Sequence, residues 1–236
     1  MGRVNIKSVE NLHKMGTTIL LNDLLCEFDA DGLIVGDEDL PATDEGKKQA
    51  KIIAEFFHSK VSLIGNIASS DADRVSKLIH YLRVVSPNRY LIDTKVKITD
   101  ALRERSFGVL VGSRYDFGSS VFSHSRVLGE GGESLSQCRD RATTFLDLFL
   151  TEHGKSLIVS HPLVCQLLTN IALEKSHTWV TSFWLAKGSF VVFNTRKGRF
   201  GYHWEFEGAY NAILGRSYNK EEIYNDILGT TGYTSC

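Results

Sequence analysis

The sequence predicts an α/β fold, a three-layer sandwich built on a mainly parallel central sheet. Three observations carry that expectation. Short, largely apolar runs recur at 17–22, 61–68 and 155–161, as in strands buried on both faces. Between them lie longer stretches whose apolar residues return at helical spacing. The alternation of the two types is the pattern of crossover connections in a parallel sheet. In such sheets ligands bind beyond the carboxyl ends of the strands.

The first run opens the segment "TTILLNDLLCEFDADG", Thr17 to Gly32, and delivers Asn22 and Asp23 where the strand should end. "TDEGKKQAKIIAEFFHSK" reads as a helix. Thr43 is its N-cap, Asp44 and Glu45 suit the positive end of the dipole, and Ile52, Ile53, Phe56 and Phe57 form one apolar stripe. "VSLIGNIA" (61–68) is a second strand, and "DADRVSKLIHYLRVV" a helix with Val75, Leu78, Ile79 and Leu82 inward. A longer helix runs from about Glu133 to Thr151, carrying Leu135, Cys138, Ala142, Phe145, Leu146 and Phe149. "KSLIVSH" is the third strand, with Pro162 where the next helix begins. "SFVVFNT", the turn "RKGR" and "FGYHWEFEG" predict a hairpin in which Phe200, Tyr202, Trp204 and Phe206 alternate with polar or small residues. The tail, 209–236, places Tyr218, Ile223, Tyr224 and Ile227 near helical spacing, for packing on the domain or on a partner.

Composition bounds the function. At 236 residues the chain is either one large domain or two small ones, and an apolar fraction of 42% with 10% aromatics can fill a sizeable core. A net charge of −1 with both signs interspersed argues against nucleic acid or an anionic membrane as partner. Cys26, Cys138, Cys165 and Cys236 lack C-x-x-C spacing, which argues against zinc and for a reduced chain. Nothing resembles a signal peptide or an apolar membrane span. A cytoplasmic protein with no metal and no cofactor is the expectation.

Chemistry gathers at the strand ends. "SSDADR" (Ser69–Arg74) ends the second strand, "SHP" with His161 ends the third, and "LRERSFG" (102–108) adds Glu104 in a loop. An Arg, a His and a Glu converging there suit an anion site with an acid/base group. Taken singly, such an Arg is usually a surface charge and such a His a hydrogen-bonded structural residue.

Taken in order, these segments resemble the histidine phosphatase superfamily, whose best-known branch is the cofactor-dependent phosphoglycerate mutases. The resemblance covers roughly 17–208. "DLPATDEGKKQA" is similar to Asp-x-Pro-Leu-Thr-x-x-Gly-x-x-Gln-Ala, and "SSDADR" to Ser-Ser-x-x-x-Arg. "LRERSFGVLVG" resembles Leu-Arg-Glu-x-x-Phe-Gly-x-x-x-Gly, "GGESL" matches Gly-Gly-Glu-Ser, and "VSHPLV" resembles Val-Ser-His-Gly-Gly-Val. The resemblance implies a phosphoglycerate mutase-like fold in a single domain over 1–236, with Arg74 binding phosphate, Glu104 donating a proton and His161 as the second histidine bracketing the phosphoryl group.

The first motif departs. Where the family ends its first strand in Arg-His-Gly-Glu, this chain puts Asn22, Asp23, Leu24 and Leu25, and Pro162 replaces the glycine after His161. The family's reaction needs an imidazole nitrogen to hold the phosphoryl group, which Asp23 cannot supply. Aspartyl phosphates usually form beside a divalent cation, and only a grouping of Asp23, Glu104 and His161 suggests one. Exchanging Arg and neutral His for Asn and Asp shifts the pocket charge by minus two. A lost charge-assisted hydrogen bond costs roughly 1.5–3 kcal/mol. Carboxylate–phosphoryl repulsion adds about 4 kcal/mol at ~4 Å and an effective dielectric of ~20. Family-type phosphatase or mutase activity is therefore not expected.

Two readings remain. In one, Asp23, Glu104 and His161 are a catalytic set repurposed for acid–base chemistry, with Asn22, Arg74, Arg114, Tyr115 and His124 binding a small carboxylate- or phosphate-bearing ligand. An Asp packed near Glu104 would have a raised pKa, and Arg74 would anchor the anion. The plain alternative for Asp23, Glu104, His161 and Arg74 is an ion-pair network. In the other reading the fold is a non-catalytic binding, regulatory or scaffold module. Leu24 and Leu25 either fill the former cradle or, more simply, pack in the core. Residual phosphatase chemistry through Asp23 is a third, weaker option. The segment 113–132, with Arg114, Tyr115, His124 and Arg126, either caps the pocket or is a solvated loop. A homo-oligomer is left open.

Overall fold

The computed structural model describes residues 17–60, 64–85, 94–114, 130–150, 155–172, 187–198, 201–211 and 216–218. Its strands are β1 (Thr17–Asn22), β2 (Asn66–Ser70), β3 (Val96–Thr99), β4 (Ser156–Ser160), β5 (Ser189–Gly198), β6 (Gly201–Asn211) and β7 (Arg216–Tyr218). Its helices are α1 (Glu27–Ala30), α2 (Asp44–Lys60), α3 (Asp73–Val85), α4 (Leu135–Phe149) and α5 (Pro162–Ala172). One sheet takes the order β3-β2-β4-β1-β5-β6-β7. The first four strands run parallel, and β5, β6 and β7 extend them as an antiparallel wing.

Strand β1 lies between β4 and β5 and is buried along its whole length, with Ile19, Leu20 and Leu21 as its apolar centre. The period of two divides its side chains between two cores. Ile19 and Leu21 join Ile53, Phe57, Val75, Leu78 and Leu82 of α2 and α3. Leu20 faces the other way, among Leu135, Leu146, Leu163 and Leu167 of α4 and α5. Alternation in β4 and β5 does the same, with Val159 and Val192 on one side and Ile158 and Val191 on the other. These are the three layers the periodicity predicts.

The local signals act as read. The Thr43 hydroxyl accepts from the Gly46 amide at 3.0 Å, and the Ser134 hydroxyl caps α4 through the Gln137 amide at 3.1 Å. Several boundaries move. The second strand is not 61–68 but Asn66–Ser70, because pairing with β4 begins at Asn66 and runs on through Ser69. Two serines are thereby carried to the carboxyl edge, where an apolar-run criterion stops short. The hairpin strands continue through Arg196, Lys197 and Gly198, so these three residues of the expected turn "RKGR" belong to the strand. Phe200, Ile223, Tyr224 and Ile227 lie outside the described residues, whereas Tyr218 belongs to a strand, β7, and not to a helix.

The link between β1 and α2 is tight. The Leu25 carbonyl accepts from both the Thr43 amide (3.0 Å) and the Thr43 hydroxyl (3.2 Å). A Cβ on Gly46 would collide with that same carbonyl. Gly46→Ala is therefore expected to lower unfolding free energy by about 1–3 kcal/mol, read from the urea midpoint. An unchanged midpoint would show that α2 can retreat freely.

Candidate functional site

Asp23 follows the last residue of β1 and is fully buried. A buried carboxylate needs partners, and three separate elements provide them. Arg74, in the first turn of α3, sets Nε 2.5 Å from Oδ2. His161, between β4 and α5, sets Nδ1 2.7 Å from the same oxygen. Lys187, just ahead of β5, sets Nζ 2.7 Å from Oδ1 and 3.2 Å from Asp29 Oδ2 on α1. The topology explains the convergence. Parallel β1, β2 and β4 all finish at one edge, and antiparallel β5 begins there, where the Gly188 amide donates to the Asp23 carbonyl at 3.2 Å.

The ring of His161 is fixed at both nitrogens. Nε2 lies 2.9 Å from Ser70 Oγ, which already accepts from the Ala72 amide at 3.3 Å. The consistent assignment has the Ser70 hydroxyl donating to Nε2 and Nδ1–H donating to Asp23. Burial lowers the His161 pKa to about 4 against the pull of Asp23, and Arg74 Nη2, 3.0 Å from Nδ1, further disfavours the imidazolium. The order Ser70–His161–Asp23 is that of a hydrolase relay. Ser70 is fully buried, however, and lines no part of the pocket described below. The arrangement sets a tautomer.

The two carboxyls of the site move in opposite directions. Burial alone would raise Asp23, but Lys187, Arg74 and His161 together hold it well below the usual carboxylate range. Glu104 is held by two backbone amides, Arg105 N at 2.8 Å and Leu163 N at 3.0 Å. Burial outweighs those two bonds and pushes it up to about 7. Arg141 of α4 secures the Glu104 loop, donating to the carbonyls of Ala101, Arg103 and Glu104 and to the Glu133 carboxylate.

Arg74, Lys187, Glu104 and Asp29 line a pocket of about 60 Å³, together with Leu33, Val35, Gly36, Phe107 and Pro162. Asp23 and His161 lie behind Arg74 and Lys187 and do not line it. Arg74 is partly committed, because Nη1 donates to the Glu38 carbonyl at 2.8 Å in addition to the bonds above.

Of the residues singled out from sequence, Asp23, Arg74 and His161 form one cluster, and Glu104 faces the adjoining pocket. Asn22 is buried inside β1 opposite Ser160 and does not reach the pocket. Arg114 is exposed, bridges Leu33 through the backbone and lies outside it. Tyr115, His124 and Arg126 fall outside the described residues. Leu24 packs in the α2–α3 core, and Leu25 is half-buried, so neither fills the pocket. The raised carboxyl is Glu104, and Asp23 is depressed, because cations crowd Asp23 and not Glu104. Sequence reasoning missed Lys187, Asp29 and the role of Ser70. The one signal for Lys187 was a basic residue just before a strand, which means little until that strand is known to neighbour β1. Among the described residues no three His, Cys, Asp or Glu side chains are grouped to hold a metal ion.

The sequence profile of the histidine phosphatase superfamily (branch 1) matches residues 26–206. No curated protein matches in sequence. Among solved structures the chain is similar to a mycobacterial glucosyl-3-phosphoglycerate phosphatase with VO3, at 16% identity and a TM-score of 0.68, covering 80% of this chain and 96% of that one. It is also similar to the alpha-ribazole phosphatase from Shigella flexneri (18%, TM-score 0.65, 80% and 95%). A third is mycobacterial hydrolase 2 (15%, TM-score 0.71, 93% and 99%). At these identities the structures show a shared fold.

Two opposed pH effects follow from the buried groups. Between pH 4 and 6.5 the unfolded chain protonates His161 while the folded chain does not, so its contribution to stability rises with pH. Between pH 4.5 and 7 the folded chain keeps the Glu104 proton that the unfolded chain has lost, so that contribution falls as pH rises. Each is worth about 3 kcal/mol at most, and they largely cancel in the natural chain. Glu104→Gln should leave stability climbing from pH 4 to 6.5, and His161→Asn should leave it falling toward pH 7, in urea titrations at stepped pH. Parallel profiles for all three proteins would contradict both shifts.

Proposed function

The chain belongs to the histidine phosphatase superfamily, and from that premise we propose that it has lost phosphohistidine chemistry while keeping a polar pocket for a small anionic organic ligand. The carrying observation is Asp23. It stands where the resemblance puts the nucleophilic histidine, and its two oxygens bind Arg74, His161 and Lys187. The groups that the resemblance assigns to a phosphoryl group are thus engaged by a side chain of the protein itself. Aspartyl phosphate formation is disfavoured on the same ground, since an attacking Asp23 oxygen would first have to leave an ion pair and reach a pocket it does not line.

The ligand reading is supported by the lining, which sets Lys187 and Arg74 beside Glu104 and an apolar wall. Solved relatives are named as phosphatases of small phosphorylated molecules, which fits a phosphate- or carboxylate-bearing compound. Glu104, with a pKa of about 7, is the pocket group whose proton is mobile near neutrality, and it favours repurposed acid–base catalysis. The non-catalytic module is favoured by the closed set of bonds around Asp23. On this reading the protein is a single cytoplasmic domain acting on small molecules, free to form a homo-oligomer. Cys26, Cys138 and Cys165 are free and buried. No helix among the described residues is long and apolar enough to cross a membrane.

An aryl phosphate assay with and without Mg²⁺ tests the central claim. The natural chain and His161→Ala are expected to match the buffer blank. Turnover that His161→Ala abolishes would sink the proposal. A gain of activity in Asn22→Arg/Asp23→His, with the natural chain silent, would favour the open-pocket reading over the module.

A further inference from the structure

We infer that the pocket receives the carboxylate head of a small monocarboxylic acid, gripped by Lys187 and Arg74 and taken up together with a proton on Glu104. This rests on the ligand pocket proposed above and names its occupant.

Size comes first. A pocket of about 60 Å³ holds on the order of a few waters, which suits a carboxylate and its first carbons. Charge narrows the choice. Arg74 and Lys187 are balanced by Asp23 and Asp29, so the four sum to zero and Glu104 decides the sign. A monoanion beside neutral Glu104 leaves one excess negative charge, whereas a dianion leaves two within reach of Asp23 and Asp29. Donor capacity agrees. The Lys187 ammonium has three N–H groups, two of them directed at Asp23 and Asp29. Arg74 has five, of which Nε–H and one Nη1–H donate to Asp23 and Glu38, while Nη2 lies against the protonated Nδ1 of His161, which cannot accept. That leaves few donors, which suffice for the two oxygens of a carboxylate. Protonated Glu104 adds an O–H, because its backbone amides occupy only acceptor positions. Leu33, Val35, Phe107 and Pro162, which also line the pocket, offer hydrocarbon to the ligand's chain.

The proton linkage belongs to Glu104 among its neighbours. It is faced by Asp23, Lys187, Arg105 beside it, Arg141 and Cys138 of α4 and Cys165 of α5. Asp23 is held low, both thiols are pushed up by burial, and the cations stay charged, so none of these changes charge between pH 6 and 8. An incoming carboxylate therefore competes with ionised Glu104 and binds the protonated form.

The test titrates the full chain with propionate and with sulfate, a dianion of fixed charge, at pH 6, 7 and 8, following backbone amide shifts by NMR. Propionate is expected to bind about tenfold more weakly at pH 8 than at pH 6, the ratio of protonated Glu104 for a pKa of about 7. Sulfate should bind less tightly than propionate at pH 6. Glu104→Gln should keep propionate binding and flatten its pH dependence, and Lys187→Met should lose it. The natural chain and Glu104→Gln decide the matter even if Lys187→Met does not fold. Sulfate binding in preference to propionate, or a flat propionate profile in the natural chain, overturns this inference and leaves the anion pocket standing. Binding of neither anion overturns the pocket itself.

Discussion

The structure turns on one buried charge. Asp23 ends the central strand with no exposure to solvent, and a carboxylate in that position is tolerated only with close, well-oriented partners. Arg74 follows β2, His161 follows β4 and Lys187 precedes β5, so satisfying one side chain draws together the ends of four strands. Removing one partner of a buried pair typically costs 3–5 kcal/mol, roughly, because the remaining charge is stranded. The cluster therefore acts as a clasp at the edge where ligands meet this kind of sheet.

A second carboxyl a short way along the same edge obeys the opposite rule. Glu104 has backbone amides for company and no cation within hydrogen-bonding distance among its described partners. Burial raises it toward neutrality while its neighbour stays ionised. Two carboxyls with divergent environments are what separate acid and base roles require. Here the one raised toward neutrality lines the pocket and the ionised one lies behind the cations, and on the proposed reading the proton chemistry belongs to Glu104. Its loop is held by Arg141, whose fork reaches three carbonyls of that loop and the Glu133 carboxylate.

Much of the fold was legible because period and burial speak directly. Ile19 and Leu21 against Leu20 in β1, and the stripe through Val75, Leu78 and Leu82 in α3, needed only spacing. Short edge elements were not. Val96–Thr99 is four residues, partly exposed, and carries no apolar run, and Arg216–Tyr218 sits in a tail whose spacing suggests a helix. In the site, Arg74 and His161 were found because each ends a readable strand. Lys187 was hidden because its meaning depends on β5 running antiparallel beside β1, a long-range pairing that residue type and local pattern do not encode. The direction of the Asp23 shift was hidden for the same reason. Counting only the exchanged residues made the pocket more negative by two, and Lys187 returns one of those charges.

That count also changes how the departure at the first motif acts. On the proposed reading, replacing a nucleophilic imidazole by a carboxylate does more than delete the nucleophile. The new side chain is itself an anion, tethered in the cradle at an effective concentration that a dissolved phosphate ester does not match. Arg74 and His161 turn inward to it, and Lys187 closes the third side. An external ligand then meets the outer faces of Lys187 and Arg74, with Glu104 and hydrocarbon around it. A phosphoryl group would be left with the few N–H groups that Asp23 does not use. On that reading one exchange removes the chemistry, fills the old subsite and moves ligand recognition outward to groups suited to a smaller charge.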